Sequence, residues 1–128
     1  MSVARLRFLL TTIVSIGMLL PSLATAQNSG FLKDAAISNF DDKDVAMMMQ
    51  NIDVTLNDTQ PQAMHEWKNP ASGNSGKAEV LKVFKNAAGT ECKRLQLHHL
   101  ARNGVTGRSA YNFCKHADKW MVDSTATK

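Results

Sequence analysis

Two hydrophobic periods divide the chain. Val45, Met48 or Met49, Ile52 and Leu56 recur at steps of three and four residues, the spacing of one face of an α-helix, whereas the segments after residue 63 change to a two-residue alternation. The helix carries its own start signal. Asp41 stands at the N-cap with Asp44 three residues on, Phe40 and Val45 occupy the two positions of a hydrophobic staple, and Asp41, Asp42 and Asp44 favour the positive end of the helix dipole. Met47, Met48 and Met49 are consecutive and point to different helix faces, which suits core packing better than a soft-metal site. Asp58, Gln60 and Pro61 end the helix and turn the chain. Upstream, residues 31–37 fit either a turn or a short helix.

Beyond the turn the pattern is that of strands. Met64 to Lys68 alternates, residues 69–76 read as a loop with Pro70, Gly73 and Gly76, and Glu79 to Asn86 carries Val80, Leu81, Val83 and Phe84. Ala87-Ala88-Gly89 is a tight turn. Glu91 to Ala101 then sets Leu95, Leu97 and His99 on one face and Cys92, Arg94, Gln96, His98 and Leu100 on the other. Asn103-Gly104 is the strongest two-residue hairpin signal, since both residues tolerate positive φ. Arg108 to Lys115 returns, Ala117-Asp118 turns, and Lys119 to Val122 closes the chain with Trp120. The fold class is therefore α+β: one N-terminal amphipathic helix packed on a four- or five-stranded antiparallel β-sheet laid out as a meander.

Residues 1–26 follow a different rule. Arg5 and Arg7 precede an apolar run from Phe8 to Leu20, Pro21 breaks it, and Ala24-Thr25-Ala26 stands before Gln27, which together read as a secretory signal peptide. Thr11, Thr12, Ser15 and Gly17 interrupt the run, which falls short of the roughly 20 residues of a spanning helix. The expected organisation is a signal at 1–26, a flexible lead-in at 27–40, the domain at 41–123 and a tail at 124–128, with a mature chain that has no transmembrane segment and is periplasmic or secreted. Export makes Cys92 and Cys114 most simply one disulfide, closing about 22 residues and worth about 3 kcal/mol in the chain-entropy model. A catalytic thiol is the poorer reading, because it would have to stay reduced beside a ready partner. Register tests the pairing. A two-residue turn at Asn103-Gly104 sets Cys92 opposite Lys115, one residue out, so a bulge, for which Gly107 gives room, or a longer loop is expected.

The chain has 128 residues, 44% of them hydrophobic, enough for a single small domain. Its charge is split: residues 27–60 hold six acidic and two basic groups, residues 61–128 five acidic and eleven basic. Lys93, Arg94, Arg102, Arg108, Lys115 and Lys119 are accordingly the candidate anion-binding residues around the hairpin, with an envelope component or an acidic partner as the expected ligand. The simpler reading of the same charges is a solvated sheet face balanced by the acidic helix. No exposed aromatic ladder accompanies them, which disfavours nucleic acid. His65, His98, His99 and His116 suggest a small basic ribonuclease, but that chemistry needs two imidazoles converging on one phosphate, and alternation sends His98 and His99 to opposite faces. No catalytic residue, metal ligand set or cofactor is assigned, the disulfide having removed both thiolates.

The run WKNPASGNSG from Trp67 to Gly76, then Glu91-Cys92-Lys93-Arg94, Phe113-Cys114-Lys115 and Lys119-Trp120, resembles the C-terminal domain of the rickettsial 17-kilodalton surface antigen family. The pattern is Trp-x-Asn-Pro with two spaced glycines, a first Cys followed by a basic residue, a second about twenty residues later followed by another, and a closing Trp; it spans about Asp41 to Val122. The resemblance implies an envelope-associated domain without an established enzymatic reaction. Two features of typical members, a lipid-modified cysteine and a glycine-rich segment, have no counterpart at Gln27 or in residues 31–37, and Lys93 stands where arginine is usual. A non-enzymatic envelope or surface-antigen-like binding module is the leading expectation. The alternatives are a small secreted hydrolase, nuclease-like, and a protein inhibitor presenting the Trp67 to Gly76 loop.

Overall fold

The computed structural model describes residues 35–123; the expected signal peptide, most of the lead-in and the C-terminal tail lie outside the described residues. A short 3-10 helix (Ile37–Asn39) leads into α1 (Asp42–Asn57), followed by β1 (Met64–Lys68), β2 (Ser75–Lys85), β3 (Glu91–Leu100), β4 (Thr106–His116) and β5 (Lys119–Val122). The five strands form one antiparallel sheet in the order β1-β2-β3-β4-β5, so the α+β meander expected from the hydrophobic periods is the fold.

The helix starts where its signals stand. The Asp41 carboxylate accepts from the Asp44 backbone N–H at 2.8 Å, and the Asp44 carboxylate accepts from that of Asp41 at 3.0 Å, closing a capping box. Met48, Ile52 and Leu56 are the buried stripe, and Met49 is exposed, which resolves the choice between the two methionines. They pack with Ile37, Trp67, Ala78, Val80, Leu95, Leu97 and Phe113, while Phe40 and Val45 lie against the edge of the same cluster. The last turn of α1 contains no basic residue. Its cation comes instead from β3, where the Lys93 ammonium donates to the carbonyls of Leu56 (2.7 Å) and Asp58 (2.8 Å), satisfying acceptors at the negative end of the dipole.

Two sequence expectations need correction. β2 begins at Ser75 rather than Glu79, because Ser75 to Ala78 pair with β1 on one side and β3 on the other. Gly76 is part of that strand, and a Cβ there would lie 2.6 Å from the His98 carbonyl oxygen and 2.7 Å from the Trp67 indole nitrogen. The second correction concerns the hairpin. Ala101 N–H donates to Val105 O at 2.8 Å around the three residues 102–104, and of these Gly104 alone takes positive φ, at +87°. The longer loop, rather than a bulge at Gly107, removes the one-residue mismatch: pairing runs unbroken from Leu100 opposite Thr106 to Cys92 opposite Cys114. Register wins over local turn preference here because a slip would turn every core side chain of β3 to the wrong face. The two-residue turn with both φ values positive lies at Ala117 (47°) and Asp118 (62°), between β4 and β5.

Cys92 and Cys114 are bonded, directly opposite across β3 and β4 with Cα atoms 4.1 Å apart, and fully buried. The register shift of β2 between Val80 and Lys82 is a bulge that curls the sheet around α1. One face of the sheet is therefore covered by the helix, and among the described residues no helix covers the other, the open face.

Candidate functional site

The motif loop between β1 and β2 is built around a carboxylate that belongs to the helix. Asp44 has no exposed surface, and its two oxygens accept four hydrogen bonds: from Asn69 Nδ2 (2.7 Å), Ser72 Oγ (2.6 Å), Asn74 Nδ2 (2.7 Å) and the Asp41 amide. Burial pushes its pKa up, but the bonds from Ser72, Asn74, Asp41 and Asn69 together outweigh it and hold the carboxyl at about 2, below the usual 3.8. The loop also bonds to itself, Gly73 N–H to Asn69 O at 2.8 Å and Asn69 N–H to Asn74 O at 3.0 Å, with Gly73 at φ +79°. Asn74 Oδ1 accepts from the Arg102 amide at 2.8 Å, which ties the β3–β4 turn to the same hub. Phe40 stacks edge-on against Trp67 (5.3 Å) and His99 (5.9 Å) beneath it. Asn69, Ser72 and Asn74 are thus spent inward, locking helix, loop and hairpin together. A loop so used does not present those side chains to a partner as an inhibitor would.

The six candidate anion-binding residues do not form one cluster. Lys93 is buried and committed to the helix C-terminus, and its ammonium lies 5.4 Å from the centre of the Trp120 ring. Lys115 reaches the same ring at 5.7 Å, and Trp120 Nε1 donates to Asn57 Oδ1 at 3.2 Å, so this pair belongs to the seam between helix and sheet. Arg102 sits in the hairpin loop and Lys119 at the β4–β5 turn. Arg94 and Arg108 share the open face, four residues apart in register. Alternation carries this, since residues two apart on β3 share a face and β4 pairs with it in register.

On that open face Lys77, His98 and Arg108 lie opposite one another in a row across β2, β3 and β4, and Lys82 lies opposite Arg94. Like charges placed directly across strands repel. Glu66 and Glu79 stand toward β1, leaving the β3–β4 side cationic. Among the described residues no Lys or Arg forms an ion pair; the one acid–base pair is His65 Nε2 with Asp58 Oδ2 at 2.7 Å. The Arg94 and Arg108 guanidiniums are instead anchored by neutral amides, Asn112 Oδ1 at 3.1 Å and Gln96 Oε1 at 2.7 Å. His98 Nε2 lies 3.3 Å from the same Gln96 oxygen, and burial first, then Lys77 and Arg108, favours its neutral form against the opposing pull of Glu79. Lys77, Lys82, Gln96, His98 and Asn112 are the members of this surface that the candidate list lacked. The signal for Gln96 and His98 is present in the alternation of β3 itself, whereas Lys77 and Lys82 require the register of β2.

The histidines do not converge. His98 is on the open face, His99 is buried under the helix, His65 is paired with Asp58, and His116 lies at the β4–β5 turn. The Asp58 carboxyl is held below the usual range by the Gln60 amide first and His65 second. Among the described residues no group of three or more His, Cys, Asp or Glu is placed to hold a metal ion, and no helix is long and apolar enough to cross a membrane.

A family model described as 17 kDa outer membrane surface antigen matches residues 54–119, which run from the last turn of α1 to the start of β5. No curated protein and no solved structure matches the chain.

Proposed function

The chain belongs to the 17 kDa outer membrane surface antigen family, and from that premise we propose that it is an exported, non-enzymatic module of the cell envelope that binds an anionic envelope component through the open face of its sheet. What supports this reading is the surface of β2 to β4, where Lys77, Lys82, Arg94 and Arg108 share one face with His98 and where, among the described residues, none of the four forms an ion pair with a carboxylate. Lys82 and Arg94, directly opposite each other, repel, and an arriving anion relieves that repulsion. The helix face is already filled by the core, and the motif loop is consumed by Asp44. At the Trp120 seam Lys93 is committed to the helix end and Lys115 lies over the ring.

The test is flotation of the exported protein with vesicles of phosphatidylcholine containing phosphatidylglycerol. Binding should fall steeply with added salt, because exposed charges are screened over about 8 to 10 Å near physiological ionic strength, and Arg94→Glu with Arg108→Glu should abolish it without lowering the unfolding midpoint. Binding that ignores both salt and charge reversal would refute the assignment. Intact mass of the protein from its host should place the mature N-terminus at Gln27; a stable species retaining residues 1–26 would refute export by signal cleavage.

A further inference from the structure

Resting on the reading that the open face takes anions, we infer that Arg94 and Arg108 form a two-guanidinium clamp over Ala110 that takes a single phosphate monoester. The two arginines stand on different strands, and each is drawn sideways by an amide oxygen, Arg94 by Asn112 and Arg108 by Gln96. Asn112 lies opposite Arg94, and Gln96 lies opposite Ala110, two residues from Asn112 on β4. Gln96 and Asn112 are therefore diagonal neighbours on the sheet, their backbone positions about 7–8 Å apart, and Arg94 and Arg108 stand on either side of the Ala110 row. That position carries only a methyl group, so the floor between the two cations is open.

The anchors orient without neutralising. Each amide accepts one hydrogen from a guanidinium that has five, so most of each fork remains available to a ligand, and both positive charges persist. A phosphate monoester brings a charge of about −1.5 to −2 and three strong acceptor oxygens near neutral pH, matching two cations and their forks. A diester brings one charge and fewer free oxygens. The same chemistry occurs on a lipid headgroup and on a soluble ester.

The experiment titrates the exported protein with methyl phosphate by calorimetry at low salt, beside flotation with phosphatidic acid and with phosphatidylglycerol vesicles matched in surface charge. Saturable one-to-one binding of methyl phosphate is expected, weakened about tenfold or more by Ala110→Leu, which removes no charge. Arg94→Lys with Arg108→Lys, which keeps the charge and loses the fork, should weaken it similarly. If Ala110→Leu does not fold, the double lysine variant alone decides. Phosphatidic acid bound more tightly than methyl phosphate assigns the monoester to a headgroup, and the reverse order assigns it to a soluble ester; both support the clamp. Equal binding of the two lipids, unmoved by either variant, overturns the clamp and leaves a diffuse anion-binding face standing. Failure of the wild-type protein to bind any of these anions overturns both.

Discussion

Replacing Asp44 by Asn changes one oxygen to an NH2 at the centre of the motif loop, and its cost can be worked from the geometry. The carboxylate accepts four hydrogen bonds at 2.6 to 3.0 Å in a fully buried site. An amide offers one acceptor oxygen and turns two hydrogens toward donors. If its nitrogen takes the Oδ1 position, Ser72 can rotate to accept, but Asn69 Nδ2 is left facing a donor; if it takes the Oδ2 position, Asn74 Nδ2 and the Asp41 amide are. An unpaired buried donor costs about 1–3 kcal/mol, and loss of a negative charge in the first helical turn adds about 0.3–1 kcal/mol. The total is about 1–4 kcal/mol. An independent route gives a similar size: a carboxyl held at about 2 rather than 3.8 is stabilised in its ionised form by about 2 kcal/mol. Asp42, exposed in the same turn, is the control, and Asp42→Asn should cost only the dipole contribution, under about 1 kcal/mol. Urea denaturation with the disulfide intact measures both. Equal losses in the two variants would refute the role given to Asp44 as the hub of the loop.

Cys92→Ala should lose about 2–5 kcal/mol, and the double variant with Cys114→Ala should lose no more than either single one, since both remove the same bond; chemical denaturation of the three proteins checks it. Lys93→Met should lose about 1–3 kcal/mol by leaving the Leu56 and Asp58 carbonyls without their cation, while Arg94→Met leaves stability within about 0.5 kcal/mol, a contrast measured by thermal melting. The pH dependence follows from depressed carboxyls. Asp44 binds a proton more readily unfolded than folded, so its contribution is complete above about pH 4 to 5 and is lost as pH falls toward about 2, with Asp58 acting in the same direction. Stability of Asp44→Asn should accordingly decline less over that range.

Elements governed by local pattern were legible in the sequence. The capping box at Asp41 and Asp44, the buried stripe of α1, the alternation of β3 and the pairing of Cys92 with Cys114 all depend on residues close in sequence or on a single consistent register. What escaped depends on distant residues meeting. Asp44 reads as an ordinary capping residue until Asn69, Ser72 and Asn74 arrive from a loop more than twenty residues away. Lys93 reads as one more surface cation until the helix end is placed above it. The Asn103-Gly104 pair misleads for a related reason: both the two-residue and the three-residue turn accept it, and the choice is made by the core face and the disulfide further along the hairpin. The basic residues divide between the two faces of the sheet because sequence proximity, as in Lys93 and Arg94, is opposition in a strand.

Chemical-shift mapping of the isotope-labelled protein during titration with methyl phosphate, followed by short-chain phosphatidic acid below its micelle concentration, tests most directly whether the open face is the binding surface. Changes should be confined to the open face, at Lys77, Arg94, Gln96, His98, Arg108 and Ala110, with the amides of Asp44, Asn69 and Asn74 unmoved. Changes centred on the loop from Trp67 to Gly76, or on Lys115 and Trp120 at the helix seam, with the open face silent, would contradict it.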